Sequence, residues 1–383
     1  MNSDASQSAM ITSLHVSTAR SWRGGENQLY LLALGLRARG QRAIVAAPPG
    51  SPLLERCLAE KIDARPLRVR GELDVFGALQ LAALLRRERP DVLHLHDGHA
   101  VLPGKMAARF SFLRGLSVVA HRRTVFKIKG RGKYGGRIDR VIAISRAVRD
   151  ELLAAGIAPE KVRVVYSGMN FPQPLAADAP EVRAFRERFH IPADAFLIAH
   201  AAALTSEKRQ LDILASLELT NQNLKARGVA GVHLALAGSG ILEDDLKRAA
   251  KSLGLDGHVH FLGFQQDLRP LWAAASMAVY ASVAEGLCTA LVEAQGTGLP
   301  AVITRAGGMV EVIEDGATGV IVDVGDTRKL SESILFLRED DARRARMGEQ
   351  ARVRARSLFS ADAMTDGVLA AYRELVAVSP RPC

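Results

Sequence analysis

The chain has 383 residues, 48% hydrophobic and 24% charged, enough for about two domains with full cores and unlike a disordered, collagenous or coiled-coil protein. The net charge of +10 is unevenly held: residues 1–172 carry 28 basic and 14 acidic side chains, the remainder 23 and 27. The densest stretch holds Lys105, Arg109, Arg114, Arg122, Arg123, Lys127, Lys129, Arg131, Lys133, Arg137 and Arg140 against Asp139 alone, a field that attracts an anionic membrane surface, a phosphorylated substrate or nucleic acid.

In chain order, ITSLHVS (11–17) predicts a buried strand. Residues 25–39, with Leu29, Leu32, Ala33 and Leu36 at helical spacing, predict an amphipathic helix. RAIVAAP (42–48) predicts a strand and 74–87 a helix. DVLHLH (91–96) and LSVVAHR (116–122) predict strands on either side of a helix near 99–112. RVIAIS (140–145) ends on Ser145, a good N-cap for a helix over 146–155, and KVRVVYSG closes this half. Near-continuous apolar strands alternating with helices mean a parallel sheet covered on both faces. Residues 170–180, NFPQPLAADAP, have three prolines and no periodicity and read as a linker. After a helix over 181–189, strands at 196–203, 232–238, 259–263, 277–282, 301–304 and 319–323 restart the alternation, and helices run to the end. The expectation is α/β: two doubly wound parallel-sheet domains, 1–170 and 181–358, joined by 171–180. Ligands in such sheets sit beyond the C-terminal strand ends, so the expected site is the cleft between facing domains.

Cys57, Cys288 and Cys383 are too few and too scattered for a disulfide framework or a paired-cysteine zinc site, and fit free thiols in a reducing compartment. MNSDASQSAM lacks the basic and apolar regions of a secretory leader. The longest apolar stretches, 75–85 and 272–284, fall short of the roughly 20 residues that span a bilayer. A cytoplasmic protein is expected.

Two constellations carry chemistry. Gly24 and Gly25 open a helix after the first strand, where backbone amides and the helix N-terminus favour a phosphate. Glu285 and Glu293 flank EGLCTALVE, so that amides of Gly286, Leu287, Cys288 and Thr289 open a helix between two carboxylates that can accept from sugar and ribose hydroxyls. His94 and His96 share one strand face, but a zinc site would want two further ligands, and no metal is expected.

EGLCTALVEAQGTGLPAVIT resembles the E-x7-E segment of family 4 (group 1) glycosyltransferases, the retaining GT-B enzymes. AGGMVEVIEDGATGVIVDVGD, RVIAISRAVRDELLAAGIAPEKVRVVYSG, DVLHLHDGHA and HVHFLGF resemble further family segments, in order, over nearly the whole chain. The resemblance implies two Rossmann-like domains with a sugar-nucleotide donor on the C-terminal one and the acceptor mostly on the N-terminal one. It also implies a C-terminal helix, within 359–383, crossing back to the N-terminal domain. It places the Gly25 amide and Lys208 at the donor diphosphate, with Gly24 and Arg209 beside them. Glu285 falls at the donor sugar, Glu293 at the ribose, Gly263 and Phe264 with Leu262 at the base, and Gly238 with Ser239 and Gly240 near the nucleotide. His121 matches the active-centre histidine; Asp97, His99, Arg122 and Arg123 fall on the acceptor side. Many members carry an arginine where this chain has Ala203, and Arg209 is the candidate substitute.

The activity implied by the resemblance is a retaining, metal-independent sugar transfer. The donor is a nucleoside-diphosphate sugar, a UDP-sugar as first guess. The acceptor is a lipid-linked, lipopolysaccharide-type or other cell-envelope glycan at the anionic inner face of the membrane. No separate cofactor and no nucleic-acid partner are expected. The rival readings are a GT-B sugar-nucleotide 2-epimerase and a non-catalytic sugar-nucleotide-binding protein. The basic stretch also raises a nucleic-acid-binding reading, against which it holds few aromatics and no recognised module.

Overall fold

Short β-branched and aliphatic runs, each ended by a polar or glycine-bearing turn, form the strands; longer stretches between them, several opened by a side-chain cap, form the helices. The computed structural model describes residues 10–128 and 132–378. It divides into two units, Met1–Met169 with Ala361–Cys383, and Asn170–Ser360. Lys129, Arg131 and Cys383 lie outside the described residues.

Unit 1 runs β1 (Thr12–Val16), α1 (Gly24–Ala38), β2 (Arg42–Ala47), α2 (Pro52–Ala59), β3 (Asp63–Pro66), α3 (Val75–Glu88), β4 (Val92–Leu95), α4 (Gly98–Ser111), β5 (Ser117–Arg122), β6 (Arg140–Ala143), α5 (Arg146–Ala154) and β7 (Val162–Val164). Its sheet order is β3-β2-β1-β4-β5-β6-β7, and all pairs are parallel. The order reverses between β1 and β4, the switch point where ligands of open α/β sheets bind. Helix starts are fixed by side chains. Asp74 Oδ1 accepts from Gly77 N at 2.9 Å, Asp97 Oδ1 from Ala100 N at 3.0 Å and Ser145 Oγ from Val148 N at 3.1 Å.

Unit 2 runs α6 (Pro180–Arg188), β8 (Leu197–Ala201), α7 (Gln210–Ala226), β9 (His233–Ala237), α8 (Glu243–Ser252), β10 (Val259–Gly263), α9 (Arg269–Ala274), β11 (Met277–Tyr280), α10 (Thr289–Thr297), β12 (Ala301–Thr304), α11 (Met309–Val312), β13 (Gly319–Val322), α12 (Thr327–Arg338) and α13 (Asp341–Leu358). Its parallel sheet has the order β10-β9-β8-β11-β12-β13, with the switch between β8 and β11. Residues 171–177, expected as linker, contribute Phe171 and Leu175 to the wall of a pocket in this unit.

The last helix, α14 (Ala361–Val378), belongs to unit 1. Met364, Val368, Leu369 and Tyr372 enter the core formed by Leu29, Leu32 and Leu36 of α1 with Val45, Val92 and Val119 of the sheet. A methyl added to Gly35 would lie 2.2 Å from Thr365 Oγ1, so α1 and α14 touch where only glycine leaves room.

Candidate functional site

In unit 1 the strand register collects imidazoles at the switch point. His15 pairs with His94 and lies on the same face as His96, and His121, the last but one residue of β5, lies beside them. All four are buried. His94 and His121 stack with centroids 5.3 Å apart and planes 3° from parallel. Burial holds His15 down to about 3 and the other three well below the usual histidine range, so all are neutral at pH 7.

A hydrogen-bonded chain links part of this cluster. Arg123 Nη2 lies 3.5 Å from His96 Nδ1, His96 Nε2 lies 3.0 Å from His15 Nδ1, and His15 Nε2 lies 2.8 Å from Ser13 Oγ. A guanidinium can only donate. His96 therefore accepts at Nδ1 and donates from Nε2, and His15 in turn donates to Ser13. His94 Nδ1 meets Tyr372 Oη of α14 at 2.6 Å. Ring nitrogens of His15, His94 and His96 lie within 4.8 Å of one another, close enough to share a metal ion. The chain gives two of these rings partners without one, and the adjacent guanidinium opposes a second cation.

Arg123 itself is enclosed enough that burial lowers it to about 10, offset in part by Glu26 and Asp97, and it stays charged at neutral pH. Its Nε and Nη1 have no protein partner, and neither ring nitrogen of His121 has one. A methyl placed on Gly25 would sit 3.8 Å from Arg123 Cδ. Gly24 and Gly25 are the first two residues of α1, and Glu26 Oε2 accepts from Arg23 N at 3.0 Å. A buried guanidinium with free N–H groups beside a helix N-terminus can receive an anion.

The other expected acceptor-side residues divide. Asp97 is largely occupied within the protein: besides capping α4, it accepts from Thr18 N at 2.7 Å and Thr18 Oγ1 at 2.8 Å, fixing the β1–α1 loop. Arg122 turns away, donating to Phe126 O at 2.6 Å. His99 is exposed and stands 3.6 Å from Glu72.

Among the described residues, the dense basic stretch is only in part a free positive face. Lys105 donates to Gly132 O, Lys133 pairs with Glu72, Arg137 with Asp139 and Arg140 with Glu374. These side chains hold the long β5–β6 connection and α14 in place, whereas Arg109, Arg114 and Lys127 are exposed.

In unit 2, Lys208 Nζ donates to Glu285 Oε1 at 2.6 Å, and Ser282 Oγ donates to the same oxygen at 3.2 Å. The loops after β8 and β11 thus meet, and Val283 N bonds Glu207 O at 2.9 Å. Gly238 joins them. At φ 140° its added methyl would lie 1.9 Å from Ala202 O, and its amide donates to Gly263 O at 2.8 Å. Gly240 packs as tightly on Leu204 O, at 2.3 Å. Gly286 and Leu287 lead to Cys288, which takes φ 65° just before Thr289 opens α10. Burial pushes the Cys288 thiol far up, so it is no nucleophile. Phe264 is 76% exposed beside Gly263, free to stack.

Arg209, the candidate substitute for the arginine absent at Ala203, is engaged by a neighbour on its own helix start. It adopts φ 50° and grips Asp212 through Nε at 2.5 Å and Nη2 at 3.0 Å. Glu293 faces another space, a pocket of about 220 Å³ walled by Phe171, Leu175, Trp272 and Gly296, and burial raises its carboxyl.

Sequence reasoning missed several participants. His15 lacked any signal beyond a core position. Gly307 and Gly308 pack on the backbone of Glu285 and Gly286, where added methyls would lie 2.1 Å from their carbonyl oxygens, and Gly308 N donates to Glu285 O at 2.9 Å. The paired glycines in AGGM were the available signal.

Comparison with known proteins divides along these two halves. The family described as Glycosyltransferase Family 4 matches residues 22–171, and that described as Glycosyl transferases group 1 matches residues 181–354. The chain is 28% identical over 308 residues to the lipopolysaccharide core biosynthesis glycosyltransferase LpsE of Rhizobium meliloti, covering 79% of this chain and 80% of that protein. It is 28% identical over 362 residues to D-inositol 3-phosphate glycosyltransferase 1 of Catenulispora acidiphila, covering 86% and 85%. The crystal structure of Anabaena HepE in complex with UDP has the same fold, with a TM-score of 0.80 at 20% identity over 95% of this chain and 100% of that one.

Proposed function

Since the chain belongs to the group 1, family 4 glycosyltransferases and has their GT-B fold, we propose that it moves a sugar from a UDP-sugar to a lipid-linked, lipopolysaccharide-type or other cell-envelope glycan, with retention and without a metal ion. The observation that carries this is the Lys208–Glu285 pair at the C-terminal sheet edge of unit 2, beside the start of α10. A diphosphate supplies the anion for Lys208 and the α10 amides; Glu285, released from the lysine, accepts from donor sugar hydroxyls. The nucleotide base lies on Gly263 and Phe264.

In the transfer, the bond from the anomeric carbon to the diphosphate breaks and a bond to the acceptor oxygen forms on the same face. The acceptor proton leaves with the diphosphate, so no protein base is required. Lys208 stabilises the charge that grows on the leaving group. In unit 1, Arg123 and His121 offer the unpartnered N–H groups and ring nitrogens that meet a polar acceptor. The basic excess of residues 1–172 holds the enzyme at an anionic membrane surface. HepE holds UDP and LpsE is a lipopolysaccharide core enzyme, which support the donor and acceptor classes.

The test is calorimetric titration with UDP, GDP, ADP and CMP. UDP is expected to bind saturably, and Lys208→Ala to weaken it about 10- to 100-fold, the value of a charge-assisted hydrogen bond. Turnover of a UDP-sugar unaffected by chelator, with the product anomer retained, completes the reading; a folded sample that binds no nucleotide sinks it. One observation favours a non-catalytic binding protein instead: Ala203 leaves the diphosphate an arginine short and Arg209 is held by Asp212. Tight UDP binding without turnover would select that reading.

A further inference from the structure

Three of the most exposed large apolar side chains of unit 1 lie in connections at the C-terminal edge of its sheet. The connection from β3 to α3 exposes Leu73 at 82%, and the first turn of α3 exposes Phe76 at 80%. The connection after β5 exposes Phe126 at 66%. Because every strand of this sheet is parallel, both loops lie on the same edge as Asp97 and the His121–Arg123 corner. They also touch each other. Lys133, from the β5–β6 connection, donates to Glu72 Oε1 at 2.5 Å, and His99 at the start of α4 stands 3.6 Å from that oxygen.

The charge around these residues is net positive. Arg68, Arg70 and Lys127 are exposed, while Glu72 is neutralised by Lys133 and Asp74 is spent capping α3, its Oδ2 also accepting from Arg70 N at 2.8 Å. Apolar tips ringed by cations suit neither water nor a neutral apolar partner. They match a bilayer of anionic lipid, whose headgroups take the arginines and lysine while the tips enter the acyl boundary.

We infer that the rim formed by Leu73, Phe76 and Phe126, with Arg68, Arg70 and Lys127, is the surface by which this protein inserts into an anionic bilayer. It rests on the reading of unit 1 as the acceptor side, and narrows membrane contact from the whole 105–140 stretch, several of whose cations are engaged within the protein, to this rim, which takes Phe126 and Lys127 from that stretch. A lipid-linked acceptor then reaches the His121–Arg123 corner without leaving the bilayer.

The experiment is flotation of the full chain with vesicles of phosphatidylcholine containing one quarter phosphatidylglycerol, against pure phosphatidylcholine. Wild type is expected to float with the anionic vesicles only, less so as salt rises. Phe76→Asp and Phe126→Asp should each cut the bound fraction at least tenfold while leaving UDP titration unchanged, which certifies the fold. A Phe76→Trp variant should gain a blue-shifted emission on anionic vesicles that wild type lacks. Binding by the Asp variants equal to wild type, or an unshifted emission from the vesicle-bound Phe76→Trp variant, would overturn the inference, as would failure of wild type to bind. Vesicle binding without nucleotide binding would instead retire the transferase reading and leave the membrane rim standing.

Discussion

The two sheet edges handle buried polarity in opposite ways. Unit 1 gathers four imidazoles and keeps them neutral by excluding water, with one guanidinium among them partly unpartnered. Unit 2 keeps its charges and pairs them, Lys208 on Glu285, with side chains still 18% and 13% exposed. Neutralisation by burial is sensitive to protons, whereas pairing is sensitive to the loss of a partner. The difference teaches that a switch point can be prepared for a ligand either by leaving a donor unsatisfied or by offering a bond that the ligand exchanges.

Acid gives the largest effect. The four histidines of unit 1 have folded values far below the ordinary 6.5, so below that pH the unfolded chain binds more protons than the folded one. Their contribution to stability is fully present above about 6.5 and is lost as pH drops toward the value of about 3 for His15. In unit 2 the lowered histidines are His200 and His233, each to about 4, and His260, fewer than the four fully enclosed rings of unit 1 and not gathered in one cluster. Hydrogen exchange at pH 5 should therefore find unit 1 opening before unit 2; the reverse order would break the comparison.

Lys208→Met strands Glu285 in a largely enclosed place and should cost unit 2 about 2 kcal/mol in urea unfolding. Adding Glu285→Gln should recover at least half of it, since both partners are then uncharged. Tyr372→Phe removes the partner of His94 Nδ1 without opening a cavity and should cost unit 1 about 1 kcal/mol. Smallest of all, Arg209→Ala should change UDP affinity less than about twofold, because that guanidinium serves Asp212; a tenfold loss in the same titration would restore Arg209 to the donor site.

The alternation of strands and helices was legible because buried parallel strands read as unbroken apolar runs. β3 was not: Asp63–Pro66 is an edge strand whose aspartate, arginine and proline carry no strand signal and suit an edge that must not pair further. The Lys208 and Glu285 positions were legible from motif and loop placement. Their contact was not, since it depends on how β8 and β11 sit side by side. The engagement of Arg209, Arg122, Lys105, Lys133, Arg137 and Arg140 was invisible for a related reason: sequence counts charges but does not show which way a long side chain turns. His15 became meaningful only once the register set it opposite His94.

The bond between His94 and Tyr372 joins residues 278 apart in the chain. Unit 2 is one unbroken segment, but unit 1 is closed by a helix made only after the whole of unit 2. During synthesis, then, the first-made unit waits with part of its core exposed and one imidazole uncapped while the second-made unit can already be complete. A truncation before Ala361, or a bulky group that hinders α14, would be felt most strongly not in unit 2, which precedes it in the chain, but in unit 1, made earlier still.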